Sequence, residues 1–386
     1  MKSNIYILGI LLLLSAWGSS IAGPACQNGQ LISQTFINGS KWELCWEHYN
    51  REGIVFKEIF YTTPAGLERK VLHEGSLAQI HVAFDDGSKR VFHLAEHGLG
   101  GSNLQDLSSS QCKNGQRLMV GTKHGLCKRV VSRGYVYKDY GEQKQGHLLD
   151  LFSQSNTDGY TWIVRWQLHD DGTIEPVIGA TGALHTFGSN TDYGQETGNN
   201  GAVAVTSAIN YFWRLDFDIG GNGANDIVEE FNVSSTNSGS EKSLSVNRLT
   251  QETSRSVNLQ LKRSWRVRDK SIKNADGHAV SYHLEALHAG YDYQGRSDED
   301  WSLKDIYFTR NDSCERFVNS NPTTGGCSSG LTEYLSGQSI DGADVVVWYG
   351  LSYHHFPRDE DQPYMPTRWD GFQLIPRDWT ATSPLS

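Results

Sequence analysis

Alternation between apolar and polar positions limits this chain more than any other feature. Tyr160, Trp162, Val164, Trp166 and Leu168 are separated by polar or smaller residues, Asp170-Asp171-Gly172 reads as a turn, and Ile174 to Ile178 run on beyond it. This spacing predicts a hairpin. Tyr211, Trp213, Leu215, Phe217 and Ile219 repeat the period of two and put Phe212, Arg214, Asp216 and Asp218 on the opposite face, so both faces are expected to be at least half buried. With 40 glycines in 386 residues, few helical stripes and no βαβ rhythm, the chain is expected to be all-β, a large antiparallel β-sandwich. A hydrophobic share of 38% is enough for a large core and argues against disorder. Residues 232–243, rich in Ser, Asn and Gly, are predicted to be an exposed loop. No internal repeat, P-loop or dinucleotide fingerprint is present.

The first residues read as an address. Lys2 precedes an apolar run from Ile5 to Leu14, and Ser19, Ser20 and Ala22 follow, which is the layout of a secretory signal cleaved after Ala22. Residues 1–22 are therefore expected to be a signal peptide and 23–386 one domain, secreted to the periplasm or the cell exterior. The run is too short to cross a bilayer and no later stretch approaches the roughly 18 to 20 apolar residues needed, so no membrane is expected as a partner. Without Lys2, 33 basic residues face 44 acidic ones, a formal charge of −11 that repels polyanions and argues against nucleic acid. Six cysteines fall into three pairs near in sequence, with no CxxC spacing. Read as local disulfides in an oxidising compartment they would join Cys26 to Cys45, Cys112 to Cys127 and Cys314 to Cys327, one of fifteen possible pairings.

Five blocks, in order, carry a family resemblance over most of the chain after the signal. They are Asn50-Arg51-Glu52-Gly53-Ile54-Val55; Glu96-His97-Gly98-Leu99-Gly100; Trp166-Gln167-Leu168 through Asp171-Gly172-Thr173-Ile174-Glu175 to Gly179-Ala180-Thr181-Gly182; Arg214-Leu215-Asp216-Phe217-Asp218; and His355-Phe356-Pro357-Arg358-Asp359-Glu360-Asp361 with Pro363-Tyr364-Met365-Pro366. Together they resemble the n-REG-v, E-Y-G-L-G, W-x-F…DG-x-IE…GATG, R-L-D-x-D and H-x-P-R-x-E-D-x-P-x-M-P segments in the catalytic domain of the copper-containing amine oxidases. Full-length members of that family carry extra N-terminal domains, whereas almost nothing precedes the catalytic domain here.

The resemblance implies a tyrosine oxidised beside copper to topaquinone, a Schiff base with a primary amine, and a carboxylate base that removes the α-proton. The quinone-precursor position falls on Tyr160, although Gly159 and Thr161 depart from the family's N-Y-D/E. The H-x-H copper pair falls on Ser207 and Ile209, and neither ligates copper usefully. The third copper position is His355, beside His354. The base position holds His93, and the tyrosine of the family's V-P-Y segment falls on Phe84. Tyr160 alone would otherwise be an ordinary strand tyrosine, and His355 a structural histidine. With two imidazoles lost, the residues argue against both copper and topaquinone.

A second site in the resemblance is a peripheral calcium, implied to be held by Asp216, Asp218 and Asp344 and by the carbonyls of Phe217 and Val345; three hard carboxylates plus carbonyls suit that ion. The other reading of these aspartates is a solvated acidic turn. The expectation is thus a secreted relative with calcium kept and the copper-quinone site degenerate, acting as a non-catalytic or repurposed binding or structural protein. An active primary-amine oxidase with altered ligands is the alternative, and a glycan-binding sandwich a third. The partner would be an unknown ligand or a primary amine, and a homodimer is what the resemblance implies.

Overall fold

The computed structural model describes residues 23–27, 30–87, 90–198, 201–236, 241–286 and 299–385. The proposed signal segment, 1–22, lies outside them. Within them the alternation becomes strands. Tyr160–His169 buries 160, 162, 164, 166 and 168 and half-exposes the residues between them. It pairs antiparallel with Ile174–Gly182, from Leu168 opposite Ile174 to Tyr160 opposite Gly182. Gly172 closes the turn at a φ of 94°, a left-handed conformation that costs glycine little.

The strands form two large antiparallel sheets and a small third one. In the nine-stranded sheet Ser207–Phe217 runs between Glu68–Phe84 and Val345–His355. The ten-stranded sheet contains Tyr160–His169, Ile174–Gly182 and Met365–Arg377. Every residue of Ser207–Phe217 is buried, in line with the expectation that both of its faces are covered. One face, with Ile209, Tyr211, Trp213 and Leu215, meets the other sheet. There the Trp213 ring meets Trp166 edge-on at 5.3 Å and Tyr211 meets Trp162 at 6.2 Å. Such edge-to-face pairs add to area burial because a positive ring edge faces a negative ring face. The other face is covered by a second apolar layer in which Phe212 packs with Trp301, Tyr307, Tyr334 and Trp348.

The three disulfides pair Cys26 with Cys45, Cys112 with Cys127 and Cys314 with Cys327, as sequence nearness indicates. Each closes a short loop, worth about 3 kcal/mol in the chain-entropy account. The loop expected over 232–243 is corrected. Asp226–Ser235 and Lys242–Leu249 are strands, with Ser234 opposite Ser243 and Ser235 opposite Lys242; residues 237–240 lie outside the described ones. Paired backbone overrides the weak strand preference of Ser and Asn, and their side chains stay in solvent. Among the described residues no helix is long and apolar enough to cross a membrane.

Two of the sequence blocks meet in space. The N–H groups of Leu99 and Gly100 donate to the carbonyls of Arg51 and Asn50, at 2.8 and 3.0 Å, which holds 98–100 flat against 50–51. A Cβ on Gly100 would stand 2.1 Å from the Tyr49 carbonyl oxygen, and one on Gly98 2.3 Å from that of Asn50. Backbone cannot yield as a flexible side chain can. Gly100→Ala is therefore expected to destabilise by more than about 1 kcal/mol, read as a lowered Tm. Gly141→Ala, whose Cβ meets nothing within 4 Å, should stay within about 0.5 kcal/mol of the parent.

Candidate functional site

Strand register brings the aligned positions together. Ser207 lies opposite Phe84 on one neighbouring strand and opposite His355 on the other, so three of the positions form a row across the nine-stranded sheet. Two residues along, Ile209 lies opposite Tyr353. From the facing sheet Tyr160 enters at the first residue of its strand, 3% exposed, with its ring stacked on Trp162 at 4.9 Å and on His185 at 5.1 Å. Burial pushes its phenol well above the usual tyrosine range. Phe84 meets His185 edge-on at 6.0 Å and brings no hydroxyl.

Between the sheets lies a pocket of about 350 Å³, lined among others by Tyr160, Ile209, Tyr353, His355, Asp361 and Arg368. The His355 Nε2 is 3.1 Å from Asp361 Oδ2, which also accepts from the Arg358 backbone N–H at 3.1 Å, while Oδ1 accepts from Arg358 Nε at 3.2 Å. Both oxygens of this buried carboxylate are therefore engaged. Ile209, 1% exposed, makes an apolar wall. The buried Ser207 hydroxyl has no hydrogen-bond partner among the described residues. His354, also at the pocket lining, pairs with Asp85, 2.6 Å from Nε2 to Oδ2. Sequence reasoning did not single out Tyr353, Asp361, Arg368 or His185. Asp361 had a signal, since it closes the P-R-x-E-D block, but the other three are placed by register and packing alone.

His93 does not join this pocket. It ends the short strand Arg90–His93, opposite His81 on Glu68–Phe84. Successive residues of a strand point to opposite faces, and Ile80, Val82 and Phe84 take the inter-sheet face. His81 and His93 therefore lie on the outer face, under Trp301, with ring centroids 4.8 Å apart. The position expected to supply a base to Tyr160 has a sheet between it and that ring.

The aspartates do come together. The Asn311 amide donates to Asp216 Oδ2 and to Asp344 Oδ2, 3.0 Å each, so these two carboxylates stand on either side of one nitrogen. A Cβ on Gly223 would lie 3.2 Å from Asp344 Oδ1 and 3.6 Å from the Phe217 carbonyl oxygen, which places those two oxygens around the same point. Lys70 Nζ pairs with Asp218 Oδ2 at 2.5 Å. A fourth carboxylate, Asp226, is fully buried and accepts from the Val345 N–H at 3.4 Å. The Oδ1 atoms of Asp216, Asp218 and Asp226 are buried without hydrogen-bond partners among the described residues. Burial and the Asp344 charge push the Asp216 carboxyl up to about 7, against the pull of Arg214, and burial drives Asp226 well above the carboxylate range. A solvated turn would leave neither shift. The carboxylate oxygens are not drawn tightly together, however, and among the described residues only His81, His93 and Glu299 have ligating atoms all within 4.8 Å of one another.

With this geometry in hand, comparison places the chain among known proteins. The pattern of the copper amine oxidase enzyme domain matches residues 143–386. A primary amine oxidase of Arthrobacter sp. (strain P1) is 25% identical over 92% of this chain and 60% of its own length. Primary amine oxidase 2 of Arabidopsis thaliana is 22% identical over 94% of this chain and 61% of its own. The chain thus spans about 60% of the length of these relatives. Among solved structures, a copper-containing benzylamine oxidase of Hansenula polymorpha superposes over 99% of this chain and 64% of its own with a TM-score of 0.78 at 17% identity. A lysyl oxidase of Pichia pastoris covers 89% of this chain and 52% of its own with a TM-score of 0.76 at 15% identity. The shared fold is an amine oxidase β-sandwich.

The buried carboxylates set a pH dependence. The Asp216 carboxyl, ordinarily near 3.8, titrates near 7 in the folded chain. Between these values the folded state keeps a proton that the unfolded state has released. The contribution of Asp216 to stability in chelator is therefore full below about pH 4 and lost as pH rises to about 7. Asp226 acts in the same direction. The denaturant midpoint of the parent relative to that of Asp216→Asn should fall as pH rises across that range.

Proposed function

Because the chain belongs to the copper amine oxidase family, through its enzyme domain, we propose that it is a secreted binding or structural protein that keeps the family fold without copper-quinone chemistry. One observation carries this reading: His355 stands in a row with Ser207 and beside Ile209, where a copper site needs further imidazoles. The donor set does not fit copper, because one imidazole already associated with Asp361, an isoleucine wall and a serine hydroxyl are hard to reconcile with a site for a soft or borderline ion. Without copper there is no route to the quinone, so Tyr160 stays a tyrosine. Among the described residues, Asp361 is the carboxylate at the pocket lining and both its oxygens are engaged, so an alkylammonium would find no free carboxylate there. The pocket of about 350 Å³, with aromatic walls and the Arg358 and Arg368 guanidiniums at its lining, suits a small organic ligand. The three disulfides favour the oxidising compartment that secretion implies.

Calcium at the aspartates is part of the proposal. Three buried oxygens without partners, the carbonyl of Phe217 beside Asp344 Oδ1, and a carboxyl pushed up to about 7 are what a hard divalent cation would relieve. Bound only to the folded state, calcium should stabilise it by about 2.7 kcal/mol at a hundredfold over its dissociation constant. Chelation should lower the Tm, and Asp216→Asn with Asp344→Asn should remove that sensitivity. An identical melting curve in chelator and in excess calcium would return these aspartates to a purely structural role.

The principal test is the mass of the peptide carrying Tyr160 after copper reconstitution in air, together with a peroxide assay on methylamine and benzylamine. Unmodified tyrosine and no peroxide are expected. A quinone mass or peroxide would instead support the active amine oxidase. In a separate gain-of-function experiment, the double variant Ser207→His with Ile209→His should bind copper together with His355, because residues 207 and 209 face the same way on one strand. If this variant takes up no more copper than the parent, the correspondence of positions fails.

A further inference from the structure

The outer face of the nine-stranded sheet holds a cluster that the preceding function does not use. His81 is 0% exposed, Glu299 1% and His93 6%, and one ligating atom from each lies within 4.8 Å of the other two. The His81 Nε2 is 3.0 Å from Glu299 Oε1, yet the approach is not directed as a hydrogen bond. Trp301 closes the cluster edge-on to His81 at 5.3 Å. We propose that His81, His93 and Glu299 form a buried site for a borderline divalent transition ion of the zinc type.

Two arguments support this assignment. Two histidines and one carboxylate are a ligand set for zinc and its first-row neighbours; calcium prefers oxygen ligands alone. For metal–ligand bonds near 2.1 Å, tetrahedral geometry separates ligand atoms by about 3.4 Å. His81 and Glu299 already lie within that separation, and all three ligating atoms lie within 4.8 Å of one another.

Side-chain amides stand at the remaining ring nitrogens, Asn210 at 3.4 Å from His81 Nδ1 and Gln79 at 3.3 Å from His93 Nδ1. Amides there orient the rings, the usual task of groups behind a metal-bound histidine. Asn210 can present its oxygen to an Nδ1–H by turning. Gln79 accepts from the Leu94 N–H through Oε1 at 3.0 Å, so in this orientation its amide N–H faces His93. Ion binding would therefore require Gln79 to turn, or its oxygen to serve both donors. A carboxylate at position 79 could accept from both without turning, and Gln79→Glu should tighten binding.

The site is separate from the Tyr160 pocket, so its test does not depend on the copper question. The full chain is stripped with chelator, then titrated with Zn²⁺ by calorimetry and with Co²⁺ by visible absorption. One equivalent should bind, with cobalt ligand-field bands and a raised Tm. His93→Gln and Glu299→Gln should each weaken binding by more than about tenfold, whereas His355→Ala and Asp216→Asn should leave it unchanged. If the His93 and Glu299 variants fail to fold, Gln79→Glu still decides, since tightened Co²⁺ binding supports the site and unchanged binding overturns it. The proposal also fails if the stripped parent takes up neither ion, or if uptake survives both glutamine variants.

Discussion

The strand Ser207–Phe217 is the constraint on which the rest of the molecule depends. It is buried at every residue and hydrogen-bonded along both edges, so a polar group there that lacks a partner is costly. Its inner face sets the aromatic contacts between the sheets and one wall of the Tyr160 pocket. Its outer face carries Asn210 and Phe212 toward the His81 cluster. Its C-terminal end delivers Asp216 to the acidic cluster. Three regions of different chemistry are therefore positioned by one eleven-residue segment.

This dependence bears on how the family fold accommodates Ser207 and Ile209. At Ser207 and Ile209 small or apolar side chains satisfy a buried strand as well as imidazoles would, and in Ile209 better, because they need no ion to neutralise or orient them. The acidic end of the strand behaves differently. Arg214, Glu74 and Arg316 form a buried ion network beside Asp216, and each member is expensive to remove because its partners would be left as uncompensated charges. Polar groups at that end are held by one another, whereas Ser207 at the other end has no such network among the described residues.

Much of the architecture was legible in the sequence. Alternation over 160–168 and 211–219 showed the strands and the burial of both faces, because a period of two is a local property of the chain. The Asp170-Asp171-Gly172 turn followed from glycine's access to positive φ. Sequence nearness gave the right disulfide partners here because each pair closes a short loop. Residues 232–235 and 242–243, expected to lie in a loop, are strand, since Ser and Asn have weak strand preference and only the pairing of 226–235 with 242–249 makes them so. For the site, the aligned blocks led to Tyr160, His355 and the aspartates, but not to Tyr353, Arg368 or His185, whose roles come from which strands lie side by side.

The amino-acid sequence by itself determined that this chain is an antiparallel sandwich of amine oxidase type, because period, turn chemistry and motif order are written along the chain. It also determined that the two positions to which the resemblance assigns copper-ligating histidines hold Ser207 and Ile209, since residue identity needs no coordinates. Only the tertiary structure decided which side of a sheet each residue serves. His93 and Phe84 are nine positions apart in sequence, yet pairing and pleat put the first against His81 on the outer face and the second against His185 near Tyr160. The physical reason is that facing is relative: a strand's alternation fixes which residues share a side, and the packing of sheets and covering loops fixes what that side meets.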